Sequence, residues 1–95
     1  MTSLPINIQE LDIIKNKIND MIKKEKRYYG GICLQLEEIT YLVLKGLSDV
    51  DKDIVYDYIV SWLRSIYENV RYYKETDFKN VNGANVGYLV AFNFH

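Results

Sequence analysis

Few residues in this chain could carry chemistry. The densest carboxylate run is Asp49-Val50-Asp51-Lys52-Asp53. It opens like a calcium-binding loop, which needs a glycine at its sixth position and a bidentate glutamate at its twelfth. Ile54 and Val60 stand there, so the run reads as acidic residues at a helix start. Histidine occurs once, as His95, and cysteine once, as Cys33. A zinc site needs three or four such ligands, so no metal is expected. Cys33 lacks a nearby base for nucleophilic work. It sits in the apolar run Ile32-Cys33-Leu34 and is expected to be a buried, inert thiol. Glu37-Glu38 reads as a solvated helix face, and the glycines match no phosphate-loop spacing. The expectation is a non-enzymatic protein without a cofactor.

What remains is a doublet. Lys23-Lys24-Glu25-Lys26-Arg27-Tyr28-Tyr29 and Arg71-Tyr72-Tyr73-Lys74 each set an arginine beside two tyrosines. Arginine and tyrosine are enriched at binding hot spots because both offer large area and directional hydrogen bonds. Cations and rings together also suit phosphates and stacked bases. The alternative is structural: one tyrosine of each pair packs inward and the cations only complement helix dipoles. Lys23, Lys26, Arg27, Tyr28, Tyr29, Arg71, Tyr72 and Lys74 are thus the candidate partner-binding residues. The expected partner is an unidentified protein, with a homodimer as one form, and nucleic acid as the second reading.

The elements that must position these residues follow from periodicity. Asn7 with Glu10 forms a capping-box signature. A first helix over about 8–28 carries Leu11, Ile14, Ile18, Met21 and Ile22 as its apolar stripe, widened by Ile13. Its last turn is basic, and Gly30-Gly31 is expected to close it in a left-handed conformation. Residues 32–46 read as helix or as strand. Their length and the Leu-Gln-Leu-Glu-Glu core favour a second helix.

Ser48, with Asp51 three residues on, caps a third helix expected over about 49–74, which contains no Gly or Pro. Val55, Ile59, Trp62, Ile66, Val70 and Tyr73 form its main face, with Ile54, Tyr58, Leu63 and Tyr67 beside it. Trp62→Ala is the most damaging change expected, at roughly 3–5 kcal/mol if the ring is buried. Asn82-Gly83 is a turn signal, and Val86 to Phe94 alternates. A β-hairpin over about 77–81 and 85–94 follows. An up-down-up arrangement would bring both Arg-Tyr-Tyr segments to one end of the molecule.

The fold class is therefore α+β, mainly helical, in a single domain over 1–95 with a flexible arm at 1–6. The composition is 48% hydrophobic and 26% charged with net charge −1, which fits a globular chain and gives no overall pull toward nucleic acid. The charge is segregated: net +2 over residues 1–30, −4 over 31–57 and +1 over 58–95. No apolar run reaches the roughly 20 residues that cross a bilayer. The start lacks the pattern of a secretory signal, so the expected location is cytoplasmic. Tyrosine occurs nine times and Ile, Lys and Asn are abundant. Their codons are AT-rich, which points toward a low-GC source such as a phage or another mobile element acting on a host protein.

Overall fold

The computed structural model describes residues 4–74 and 87–94. Among them the chain forms α1 (Ile8–Glu25), β1 (Gly31–Gln35), α2 (Leu36–Leu44), α3 (Asp49–Ile66), β2 (Arg71–Tyr73) and β3 (Leu89–Asn93). The fold is α+β and mainly helical, with three helices and a small antiparallel sheet.

α1 starts as its cap dictates. Asn7 Oδ1 accepts from the Glu10 N–H at 2.8 Å, and the Asn7 N–H donates to Glu10 Oε1 at 3.1 Å. Two otherwise orphaned donors are thereby satisfied. Leu11, Ile14, Ile18 and Ile22 are buried, a strict three-and-four spacing, while Ile13 is exposed. The helix stops at Glu25, three residues earlier than expected. Residues 26–28 turn, and the N–H groups of Tyr28 and Tyr29 both donate to the Glu25 carbonyl. Residues 4–6 are half-buried and Ile6 packs on the core.

Residues 32–46 divide instead of forming one helix. The first part pairs as a strand and the second turns helical at Leu36. β3 lies between β1 and β2 and is antiparallel to both. Cys33 and Arg71 both register with Ala91, and Leu34 and Tyr72 both register with Val90. Gly31 allows the close approach of β1 to β3: a Cβ there would lie 2.9 Å from both the Phe92 carbonyl oxygen and Asn93 Oδ1. The expected strand over 77–81, the turn at Asn82-Gly83 and residues 85–86 lie outside the described residues. β3 itself falls within the expected second strand, but its described neighbours are β1 and β2.

α3 begins as expected, with Ser48 Oγ accepting from the Asp51 N–H at 3.2 Å. It ends at Ile66, eight residues before the expected end. Asn69 adopts φ 58°, a left-handed turn that asparagine tolerates better than most residues. The chain then extends into β2. The buried face of α3 is Val55, Tyr56, Ile59, Val60 and Leu63. Trp62 is half-buried and Ile66 is 54% exposed, so the face is rotated from the expected one about the shared Val55-Ile59 seam.

These residues join Ile14, Ile18 and Ile22 of α1, Leu36, Ile39 and Leu44 of α2, and Leu34, Val90 and Phe92 of the sheet in one hydrophobic cluster. The helices cover one face of the sheet. The other face presents Cys33, Arg71 and Asn93 to solvent, because strand side chains alternate. Cys33 is therefore exposed, contrary to the expected buried thiol. Its helical reading placed it beside Ile32, and the strand turns it away.

Candidate functional site

The two Arg-Tyr-Tyr segments have different environments. The first lies where α1 unwinds. Lys23, Lys26, Arg27, Tyr28 and Tyr29 are all exposed. Tyr28 and Tyr29 are 78% and 64% exposed and meet edge to face with ring centroids 6.4 Å apart. Two large rings held in water represent apolar area the fold leaves uncovered. Beside them, Asp20, Lys23, Lys24 and Arg27 line a surface groove of about 280 Å³. The helix C-terminus carries partial negative charge, which favours cations in this turn.

Lys26 differs from its neighbours. Its ammonium lies 5.7 Å from the centroid of Phe94 and 6.0 Å from that of Tyr67. These rings, together with Phe92, which stacks on Tyr67 at 4.6 Å, tie the end of α1 to the sheet through cation–π attraction. Lys15 ties the middle of α1 to α3 in the same way, with its ammonium 5.2 Å from Trp62 and 5.5 Å from Tyr58.

The second segment is no helix end. Arg71, Tyr72 and Tyr73 form β2, and Lys74 follows it. β1 and β2 run the same way, since both oppose β3. Arg71 is level with Cys33, and the strand then runs toward Lys74, away from the end where α1 enters the sheet. The expected gathering of both segments at one end is therefore not formed.

Tyr72 is half-buried and its hydroxyl lies inside without a hydrogen-bond partner. Desolvation, then the nearby charges of Asp57 and Asp53, push its pKa up. The Lys74 ammonium sits 5.9 Å from its ring centroid. Tyr72 is thus a packed ring. Arg71 and Lys74 are exposed but lie apart on β2 and just after it, and the exposed cluster at the end of α1 is Lys23, Arg27, Tyr28 and Tyr29, with Lys24 added by the groove.

Sequence reasoning missed a second tyrosine cluster. Tyr56 is buried, and its ring meets that of Tyr88 at a tilt of 37° with centroids 4.5 Å apart. Burial raises its pKa, partly opposed by a hydrogen bond with Thr40. Tyr88 holds φ 58°, a conformation rare for an aromatic residue. It has no local sequence signal beyond Gly87 before it. Among the described residues no group of three or more His, Cys, Asp or Glu side chains is placed to hold a metal. None of the described helices is long and apolar enough to cross a membrane.

Comparison with known proteins finds no matching family, no matching curated protein and no matching solved structure.

Proposed function

We propose that this chain is a small non-enzymatic interaction protein that docks on a macromolecular partner through the basic, tyrosine-bearing end of α1. The observation that carries the reading is the exposure of adjacent Tyr28 and Tyr29 beside Arg27 and Lys23. Arginine and tyrosine supply most of the energy at typical protein interfaces when partner surface excludes water from them. The groove's cations favour a partner with an acidic surface. The AT-rich residue usage fits a phage or mobile-element protein acting on a host protein in the cytoplasm.

The test compares the wild-type chain with Arg27→Ala/Tyr28→Ala/Tyr29→Ala as baits in extract of the source cell. A protein retained by the first and lost by the second supports the reading. Equal retention, or none by either, overturns it.

One observation favours a second reading. Lys23, Lys24 and Arg27 share one groove next to two free rings, which is also how single-stranded nucleic acid is held. Titration with short DNA and RNA at two salt concentrations separates the readings. Binding that collapses with salt assigns nucleic acid, and no binding at low salt removes it.

A further inference from the structure

The two edges of the sheet are unlike. β2 is three residues long, opens on Arg71 and is followed by Lys74. Short length and charge are the usual means of keeping an edge from pairing with another chain. β1 is five residues long, Gly31-Ile32-Cys33-Leu34-Gln35, with no charge and no proline.

Two hydrogen bonds fix which way its backbone faces. The Phe94 N–H donates to the Gly30 carbonyl and the Leu36 N–H to the Tyr88 carbonyl, both at 3.0 Å. In an antiparallel ladder successive residues point their polar groups alternately to one side and the other. Ile32 and Leu34 therefore bond to β3, and Gly31, Cys33 and Gln35 turn N–H and C=O to the edge that no other described strand pairs. A groove of about 330 Å³ runs beside that edge, lined by Lys17, Met21, Cys33, Gln35, Glu38 and Ile39.

We propose that a second copy of this chain occupies the edge, its β1 antiparallel across a two-fold axis at Cys33. Charge argues for a second copy over an unrelated strand. Lys17 and Met21 wall the groove, and Lys24 continues their row on α1 three residues later. That row leads toward the beginning of β1. Glu38 walls the groove in the first turn of α2, where β1 ends. A two-fold antiparallel partner lays the start of one β1 on the end of the other. Lys24 of each copy then meets Glu38 of the other, and the contact occurs twice, as a self-complementary interface requires. Cys33 faces Cys33, with backbones about 5.5 Å apart in a hydrogen-bonded pair. Lys24 also lines the groove of the docking surface, whereas Cys33 and Glu38 lie outside it, so variants at those two positions separate the dimer from the docking function above.

Sedimentation of the full chain is expected to give a dimer. A short bismaleimide links the chains through Cys33 in native buffer and not in urea. Cys33→Lys, at an exposed position, sets like charges directly opposite and costs about tenfold in dimer affinity with unchanged far-ultraviolet circular dichroism. Lys24→Glu and Glu38→Lys each weaken the dimer, and the double variant restores it. A monomer at the highest soluble concentration overturns the proposal. So does a dimer that Cys33→Lys leaves intact or that the charge exchange fails to rescue. Neither result touches the behaviour of Arg27, Tyr28 and Tyr29 as bait.

Discussion

Tyr56 and Tyr72 have hydroxyls with opposite surroundings. The Tyr56 hydroxyl bonds with Thr40, which itself donates to the Leu36 carbonyl at 2.7 Å. The Tyr72 hydroxyl is buried without a partner. An unmade buried hydrogen bond costs about 1–3 kcal/mol, and a made one contributes about 1 kcal/mol net. Tyr72→Phe is therefore expected to raise stability by about 1 kcal/mol, and Tyr56→Phe to lower it by a similar amount, read as opposite shifts in urea midpoint. Both tyrosines have raised pKa values in the fold, first of all because burial disfavours the phenolate. Their contribution to stability is intact below the ordinary tyrosine pKa of about 10. It is lost as pH rises beyond that value, because the unfolded phenols ionise first. Urea titrations between about pH 9 and pH 11 should show falling stability, and the double phenylalanine variant should flatten the slope. Gly31→Ala pushes a methyl against the Phe92 carbonyl, which is backbone and cannot swing aside. We expect a loss of about 1–3 kcal/mol, with slower-exchanging amides of β1 and β3 becoming fast.

At the scale of elements, α3 shows how a broad apolar helix resolves its facing. Steps from Val55 through Ile59 lead either to Leu63 or to Trp62 and Ile66. Both are legitimate helical rows. The chain buries Leu63 fully and leaves Ile66 open, and Trp62 packs on the edge of the core under the Lys15 ammonium of α1. Leu63→Ala is expected to cost about 2–5 kcal/mol. Trp62→Ala should cost less than Leu63→Ala, since its side chain is only partly buried, and Ile66→Ala should stay within about 0.5 kcal/mol. Thermal or urea unfolding of the three variants checks the order. A larger loss at Trp62 than at Leu63 would show that the rings over Lys15 matter more than the aliphatic core.

At the scale of the whole molecule, one basic cluster mixes side chains open to solvent with one that packs on the rings of the core. Arg27, Tyr28 and Tyr29 stand clear of the core, so their triple alanine variant should unfold within about 0.5 kcal/mol of wild type. A large destabilisation would instead mean that these side chains hold the turn into β1. Lys26 is the control: Lys26→Ala removes contact with Tyr67 and Phe94 and should cost about 0.5–1 kcal/mol. Comparing the two variants in one melting series separates binding residues from packing residues within a single basic cluster.

The caps at Asn7 and Ser48, the inward row of α1 and the strand character of the last residues are local properties. Side-chain hydrogen bonds over three residues and periods of two or 3.6 decide them, and the sequence states both. The β1 and β2 strands are not local. Gly31–Gln35 and Arg71–Tyr73 become strands because β3 offers each a row of backbone partners more than fifteen residues away along the chain, and no window of sequence contains that pairing. The same pairing drew Tyr72 inward, exposed Cys33 and left Tyr28 and Tyr29 in water. Residue type nominated the arginines and tyrosines as a possible surface; long-range strand pairing chose which of them reach it.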